Sequence, residues 1–246
     1  VKDKITTQVN EFLANSASRN IIGITGTKGK GTTSTLVTKM LEAVGKTVYL
    51  GGNIGLAPYS FIDQITPDDW IVLELSSFQL SDATHSPHIA ACLKVVPEHL
   101  DWHHTMEEYT AAKSNLFRKQ TSNDIAIYFH ESEASKLIAS VSAGTKIPYF
   151  NAPGAYVKND SEIVIDGQTI CSVKQIALPG KHNWQNVCAA ITIVWQITQN
   201  VQAIQSVVSS FAGLPHRIEF VREVNGIAFY NDSFATGPGA TAAAIA

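Results

Sequence analysis

The chain has 246 residues, 45% of them hydrophobic and 16% charged, enough for one large domain or two small ones around a substantial core. A formal net charge of −3 gives no electrostatic case for a nucleic-acid partner. No apolar run approaches the ~20 residues that span a bilayer and no signal peptide opens the sequence, so no membrane partner is expected either.

Residues 1–19 predict a short amphipathic helix, with Ile5, Val9, Phe12 and Leu13 at helical spacing. A β-branched strand at 20–25 then runs into Gly26-Thr27-Lys28-Gly29-Lys30-Gly31-Thr32-Thr33 and a helix whose apolar stripe is Leu36, Val37, Met40, Leu41 and Val44, ended by Gly45. Further strands are predicted at Lys46–Leu50, Trp70–Leu75, His88–Val96 and Asp124–Phe129, with a helix at Met106–Lys119. Strands alternating with helices predict an α/β fold, a mostly parallel doubly wound sheet covered on both faces. After residue 145 the pattern changes. Glu162–Ile165 and Gln168–Ser172, joined by Asp166-Gly167, predict a small additional hairpin. Helices follow at 183–198 and 201–211, then a strand at Gly226–Tyr230 leading through Asn231-Asp232-Ser233 to a helix. Cys92, Cys171 and Cys188 are odd in number and set in apolar surroundings, which reads as buried thiols of a reducing, cytoplasmic compartment. The sequence starts at Val1 and stops in an alanine-rich helical tail without a C-cap, so both ends read as cuts within a longer enzyme.

The order strand, glycine loop, helix makes a phosphate cradle. Glycines let backbone N–H groups approach phosphate oxygens, the helix N-terminus adds positive potential, and Lys30 neutralises charge. Thr32 or Thr33 offers a hydroxyl to magnesium. The match to G-x-x-x-x-G-K-[ST] departs at two places: Ile24 stands at the first glycine and Gly31 follows the lysine. Glu74 and His99 follow strands whose carboxyl ends face the same edge, where a carboxylate and an imidazole suit magnesium ions bridging nucleotide phosphates. His103 and His104 have no fixed direction. Lys113, on a helix with Tyr109 and Leu116, reads by spacing alone as a solvated lysine.

Together these residues resemble the Mur ligases. The resemblance rests on Gly26–Lys30, Gly52-Asn53-Ile54-Gly55, Glu74–Leu80, His99-Leu100-Asp101, Ala111-Ala112-Lys113, Gly180–Asn186, Gly213–Arg217 and Asn231-Asp232-Ser233, eight blocks in order from residue 20 to 241. It implies a three-domain ATP-dependent ligase of peptidoglycan precursor synthesis. Residues 1–220 are then the central ATP-binding domain and 221–246 the start of a C-terminal domain, with the UDP-binding domain absent. Glu74–Leu80 and Gly213–Arg217 lie nearest the branch that joins UDP-N-acetylmuramoyl-L-alanine and D-glutamate through an acyl phosphate, as a monomer.

For individual residues the resemblance implies that Gly26, Thr27, Lys28, Gly29, Lys30 and Gly31 cradle ATP, with Lys30 on the transferring phosphoryl group. Thr32 and Glu74 hold a first Mg2+ and His99 a second. Lys113 carries a carbamate that supports the metal, which replaces its reading as a solvated lysine. Asn183 and Asn186 meet the adenine region, Arg217 and Asp232 contact phosphate and ribose, and Asn53, Ser76 and Gln79 line the muramoyl-peptide side. Two residues depart from the family pattern: Gly31 follows the loop lysine, and Phe234 follows Asn-Asp-Ser where a lysine is frequent. The alternatives are a folylpolyglutamate synthase-like ligase, a nucleotide-binding module without ligase activity, or a small-acid kinase.

Overall fold

A computed structural model describes residues 6–235 and 241–242 of the chain. The apolar run Ile21–Thr25 forms β1, every residue of it buried. With β2 (Val48–Gly52), β3 (Trp70–Glu74), β4 (Ile89–Cys92), β5 (Ile125–Phe129) and β6 (Thr145–Tyr149) it builds a sheet in the order β2-β3-β1-β4-β5-β6. All five pairings are parallel. Alternation along β1 sends its side chains to two separate cores. Ile22 and Ile24 join Leu36, Val37, Met40 and Leu41 of α2 (Lys30–Glu42) and Val187, Ile191 and Val194 of α7 (Asn183–Trp195). Ile21 faces the opposite side, with Phe12 and Leu13 of α1 (Gln8–Asn15) and with Leu116 and Phe117. Coverage on both faces is why the strands read as continuous apolar runs.

Gly23 also points to the second side. A Cβ there would lie 2.8 Å from both Leu116 Cδ1 and Pro87 Cγ, so glycine is what lets that layer close on β1. Gly23→Val is expected to destabilise the fold by about 2–3 kcal/mol through overpacking, read as a lower urea midpoint at unchanged slope.

The remaining helices are α3 (Ser77–Leu80), α4 (Leu100–His103), α5 (Met106–Ser114), α6 (Glu133–Ser140) and α8 (Val201–Ser210). A three-stranded antiparallel sheet, β7 (Tyr156–Lys158), β8 (Glu162–Ile165) and β9 (Gln168–Ser172), contains the predicted hairpin. Its turn residues Asp166 and Gly167 both have positive φ, as an Asp-Gly hairpin turn requires. β10 (Glu219–Val224) and β11 (Ile227–Asn231) form a separate two-stranded ribbon.

Several boundaries differ from the sequence expectation. β4 stops at Cys92 because the next residues turn to meet the glycine loop: Thr27 N–H donates to Lys94 O (2.8 Å) and its hydroxyl to Val96 O (3.0 Å). α5 ends at Ser114 rather than Lys119, since Asn115 N–Ala112 O and Leu116 N–Lys113 O bonds tighten the chain and turn Leu116 and Phe117 inward. α7 ends at Trp195, not 198, and α1 spans 8–15, with Ile5 outside the described residues. α6, β6, β7 and β10 are elements beyond those expected from the sequence. β6, Thr-Lys-Ile-Pro-Tyr, is an edge strand that tolerates Pro148 and exposed Thr145 and Lys146. The helix expected after Ser233 lies largely outside the described residues. All three cysteines are free and buried.

Candidate functional site

In the observed strand order the chain passes from β1 to the edge strand β2, returns to β3 beside β1, then crosses to β4 on the other side of β1. The crevice at the carboxyl end of β1 is therefore the switch point where ligands of such sheets sit. The glycine loop occupies it. Gly26 has φ +145°, and a Cβ there would lie 2.8 Å from Leu93 Cβ. Gly29 has φ +88°, and a Cβ would overlap Asn186 Oδ1. Thr33 N–H is the first to find a helical acceptor, Gly29 O at 2.9 Å, so those of Lys30, Gly31 and Thr32 are left free of helical bonds for an anion. Thr27 is structural through its side chain: besides Val96 O, its hydroxyl contacts Tyr109 Oη at 2.9 Å. Its N–H is also committed, to Lys94 O.

Two lysines converge on one carbonyl in this loop. Lys30 Nζ donates to Gly26 O (3.2 Å) and Thr27 O (3.2 Å). From the opposite side Lys113 Nζ donates to the same Gly26 O (3.0 Å), 4.4 Å from the centre of the Tyr109 ring. Lys113 is 1% exposed, which rules out the solvated reading. Burial first, and then the Lys30 charge, push its pKa down to about 7. Lys30 is lowered as well, by burial, with Glu74 and Glu98 opposing. Tyr109 is pushed up to about 12 by burial, so it faces Lys113 as a neutral phenol.

Glu74, at the end of β3, is the carboxylate of this crevice and is 5% exposed. Asn53 Nδ2 donates to its Oε1 at 3.0 Å, so Asn53 orients the carboxylate. The residue facing Oε2 is Gly31, whose Cβ would lie 3.2 Å away. Among the described residues Thr32 makes no side-chain bond to Glu74. Among the described residues no group of three or more His, Cys, Asp or Glu side chains is placed to hold a metal ion by itself. A hard cation at Glu74 would draw on phosphate and water as further ligands, as magnesium does. A buried carboxylate with one oxygen free of side-chain donors fits that ion.

His99 is at the rim, with φ 58° and about half its side chain exposed, its ring 5.0 Å edge-on to Phe78. Among the described residues no hydrogen bond or ion pair joins it to Glu74. Its neighbour Glu98 pairs with Lys28 at 2.6 Å and stands 3.9 Å from His99 Nε2, clasping the glycine loop to the loop after β4. His103 is buried with Nε2 2.8 Å from Ser77 Oγ, a structural histidine whose pKa burial lowers. His104 ends α4 with φ 61°. Ser76 and Gln79 satisfy one another in a capping box at the start of α3. Gln79 Oε1 accepts from both Ser76 N and Oγ, leaving its amide NH2 to meet a ligand.

At the other wall Asn183 Nδ2 donates to Pro179 O (2.6 Å), and Asn186 Nδ2 to Asn183 Oδ1 (2.8 Å), so the pair is rigid against Gly29. Arg217 lies near enough for its charge to lower Lys30, and its guanidinium covers the Phe234 ring at 4.5 Å. Asp232 Oδ1 accepts from Ile218 N (3.1 Å) and braces the same segment. Sequence reasoning missed Glu98 and the role of Tyr109. An acidic residue beside His99 and an aromatic one turn before Lys113 are the only signals, and neither fixes a partner in space.

Residues 24–194 match the Mur ligase middle domain. The chain is similar to UDP-N-acetylmuramoylalanine--D-glutamate ligases of Clostridium kluyveri (38% identity, 98% of this chain and 53% of the relative) and of Bacillus subtilis strain 168 (41%, 93% and 51%). It thus spans about half the length of the curated relatives it matches. The MurF ligase of Thermotoga maritima, solved in complex with ADP, shares the fold with a TM-score of 0.69 at 19% identity, over 96% of this chain and 58% of that one. A phosphate-ready loop at the switch point of a six-stranded parallel sheet, and sequence similarity along nearly its whole length, make this chain a member of the Mur ligase family.

Proposed function

We propose that residues 1–220 are the ATP-binding central domain, and 221–246 the opening of the next domain, of an ATP-dependent ligase of peptidoglycan precursors. The reaction joins D-glutamate to UDP-N-acetylmuramoyl-L-alanine with release of ADP and phosphate. The observation that carries the reading is the convergence of Lys30 and Lys113 on Gly26 O at a helix N-terminus beside Glu74. The Lys30 ammonium at the helix N-terminus supplies positive charge that a polyphosphate answers, with Lys113 held against the same carbonyl. The names of the relatives supply the substrates.

A carboxylate resists amines because attack must expel oxide; phosphorylation makes phosphate the leaving group. Lys30 and the free N–H groups of Lys30–Thr32 stabilise charge on the transferring phosphoryl group. Glu74, oriented by Asn53, would hold Mg2+, which when bound neutralises phosphate oxygens. His99 offers an imidazole to a second ion at the rim. Asn183 and Asn186 wall the base side, Arg217 and Asp232 the phosphate and ribose side, and Ser76 and Gln79 the acyl acceptor. Lys113, with its pKa near 7, is substantially unprotonated at neutral pH. Its nitrogen is therefore free to bond to the carbon of CO2, losing a proton to solvent and leaving a carbamate anion next to Lys30.

The test is phosphate release by the full-length enzyme with UDP-N-acetylmuramoyl-L-alanine and a panel of amino acids. Release that depends on D-glutamate is expected despite Phe234. Dependence on a folate substrate instead moves the chain to the folylpolyglutamate synthase-like branch. Release without any amino acid makes it a kinase, and no turnover leaves a binding module.

A further inference from the structure

In a loop of this type the residue after the lysine ordinarily carries the hydroxyl that meets phosphate-bound magnesium. Here that residue is Gly31, and the geometry identifies it as the position facing the carboxylate. A Cβ on Gly31 would lie 3.2 Å from Glu74 Oε2, 3.2 Å from Ile54 Cδ1 and 3.2 Å from Leu214 Cδ1. Glu74 Oε1 is taken by Asn53, and Oε2 receives no side-chain donor among the described residues. Thr32, the next residue, is turned by about 100° around the helix and is buried, with no side-chain bond to Glu74 among the described residues.

We propose that this chain holds the nucleotide's magnesium ion at Glu74 without a hydroxyl from residue 31 or 32 of α2. A water molecule stands where the Ser or Thr oxygen would be, so Gly31 sets a weaker magnesium dependence of nucleotide binding. Magnesium keeps several waters in such sites, so the exchange is chemically permitted, but a ligand fixed in advance by the helix is lost. Ile54 and Leu214 flank the same position, their methyl groups each 3.2 Å from where a Cβ would lie. Adding a side chain there requires Glu74, Ile54 and Leu214 each to give way by a few tenths of an ångström, and all three contacts are side-chain ends that can move. The inference rests on the nucleotide-binding reading above.

The experiment titrates a fluorescent ADP analogue into the 246-residue chain over a series of Mg2+ concentrations, for the wild type and for Gly31→Ser, Gly31→Ala and Thr32→Val. Gly31→Ser is expected to lower the Mg2+ concentration for half-maximal binding about tenfold, the effect of one added ligand worth one decade. Gly31→Ala supplies the bulk without the oxygen and is expected to give no such gain, and Thr32→Val to leave the wild-type dependence in place. A Thr32→Val variant that needs about tenfold more Mg2+ overturns the inference by assigning the hydroxyl to Thr32. So do Gly31→Ser and Gly31→Ala variants that behave alike. Failure of the wild type to bind ADP at any Mg2+ concentration instead overturns the nucleotide reading, and this inference with it.

Discussion

Replacing Lys113 by methionine is expected to stabilise the protein below neutral pH while removing phosphoryl transfer. The sign follows from the two states of the chain. Folded, the amine has a pKa of about 7; unfolded, it returns to about 10.4. Between those values the unfolded state binds more protons, so this lysine makes stability rise with pH across that window. Below pH 7 its full cost is present, because the ammonium is buried charged beside Lys30. Methionine removes that cost and leaves no orphan acceptor, since Lys30 still donates to Gly26 O. The gain is expected to be on the order of 2–4 kcal/mol at pH 6, shrinking toward pH 10, in urea denaturation at pH 6, 8 and 10. A gain of equal size at every pH would sink the electrostatic account. In the full-length enzyme the same residue is expected to be indispensable. Lys113→Ala should lose phosphate release and regain part of it with added short carboxylic acids, which occupy the carbamate's place. No rescue in a folded variant counts against a carbamate.

Removing the other lysine acts on chemistry first and on its partner second. Lys30→Met is expected to lower the turnover of the full-length enzyme by about 10²–10³-fold, the usual loss when one donor to developing charge is deleted. Lys30 is also the second cause of the depressed Lys113 pKa. With that charge gone, the pH window over which Lys113 costs stability should move up. The check is the pH dependence of urea midpoints in Lys30→Met against the wild type. An unmoved window would mean that burial alone governs Lys113.

Much of the fold was legible in the sequence. Runs such as Ile21–Thr25 and Trp70–Glu74 are buried on both faces and announce themselves without any partner. Asp166-Gly167 dictates its own turn, and Gly45, at φ +78°, follows the end of α2, although the helix stops at Glu42 and leaves Val44 outside it. What could not be read was decided by contacts across the chain. β4 looked longer because Leu93–Val96 are apolar, yet Thr27, about seventy residues earlier, takes the backbone of Lys94 and Val96. The site divides the same way. Loop, lysine and carboxylate follow from local pattern and strand ends. The partners of Asn53, Glu98 and Tyr109 depend on which strand ends become neighbours, and spacing does not carry that. Lys113 shows the limit most clearly, since its spacing alone favours solvent and only the packing of α5 buries it.

The shared carbonyl of Gly26 has a consequence for how the protein is handled. An anion that binds this loop in the folded chain and not in the unfolded one acts as a folding ligand. A ligand at a hundred times its dissociation constant adds about 2.7 kcal/mol. Phosphate or pyrophosphate in a purification buffer is then expected to raise the melting temperature, and extensive dialysis to lower it. Where nucleotide is abundant the charged loop is seldom empty, and a substitution such as Gly23→Val that looks damaging in a phosphate-free assay would be partly masked.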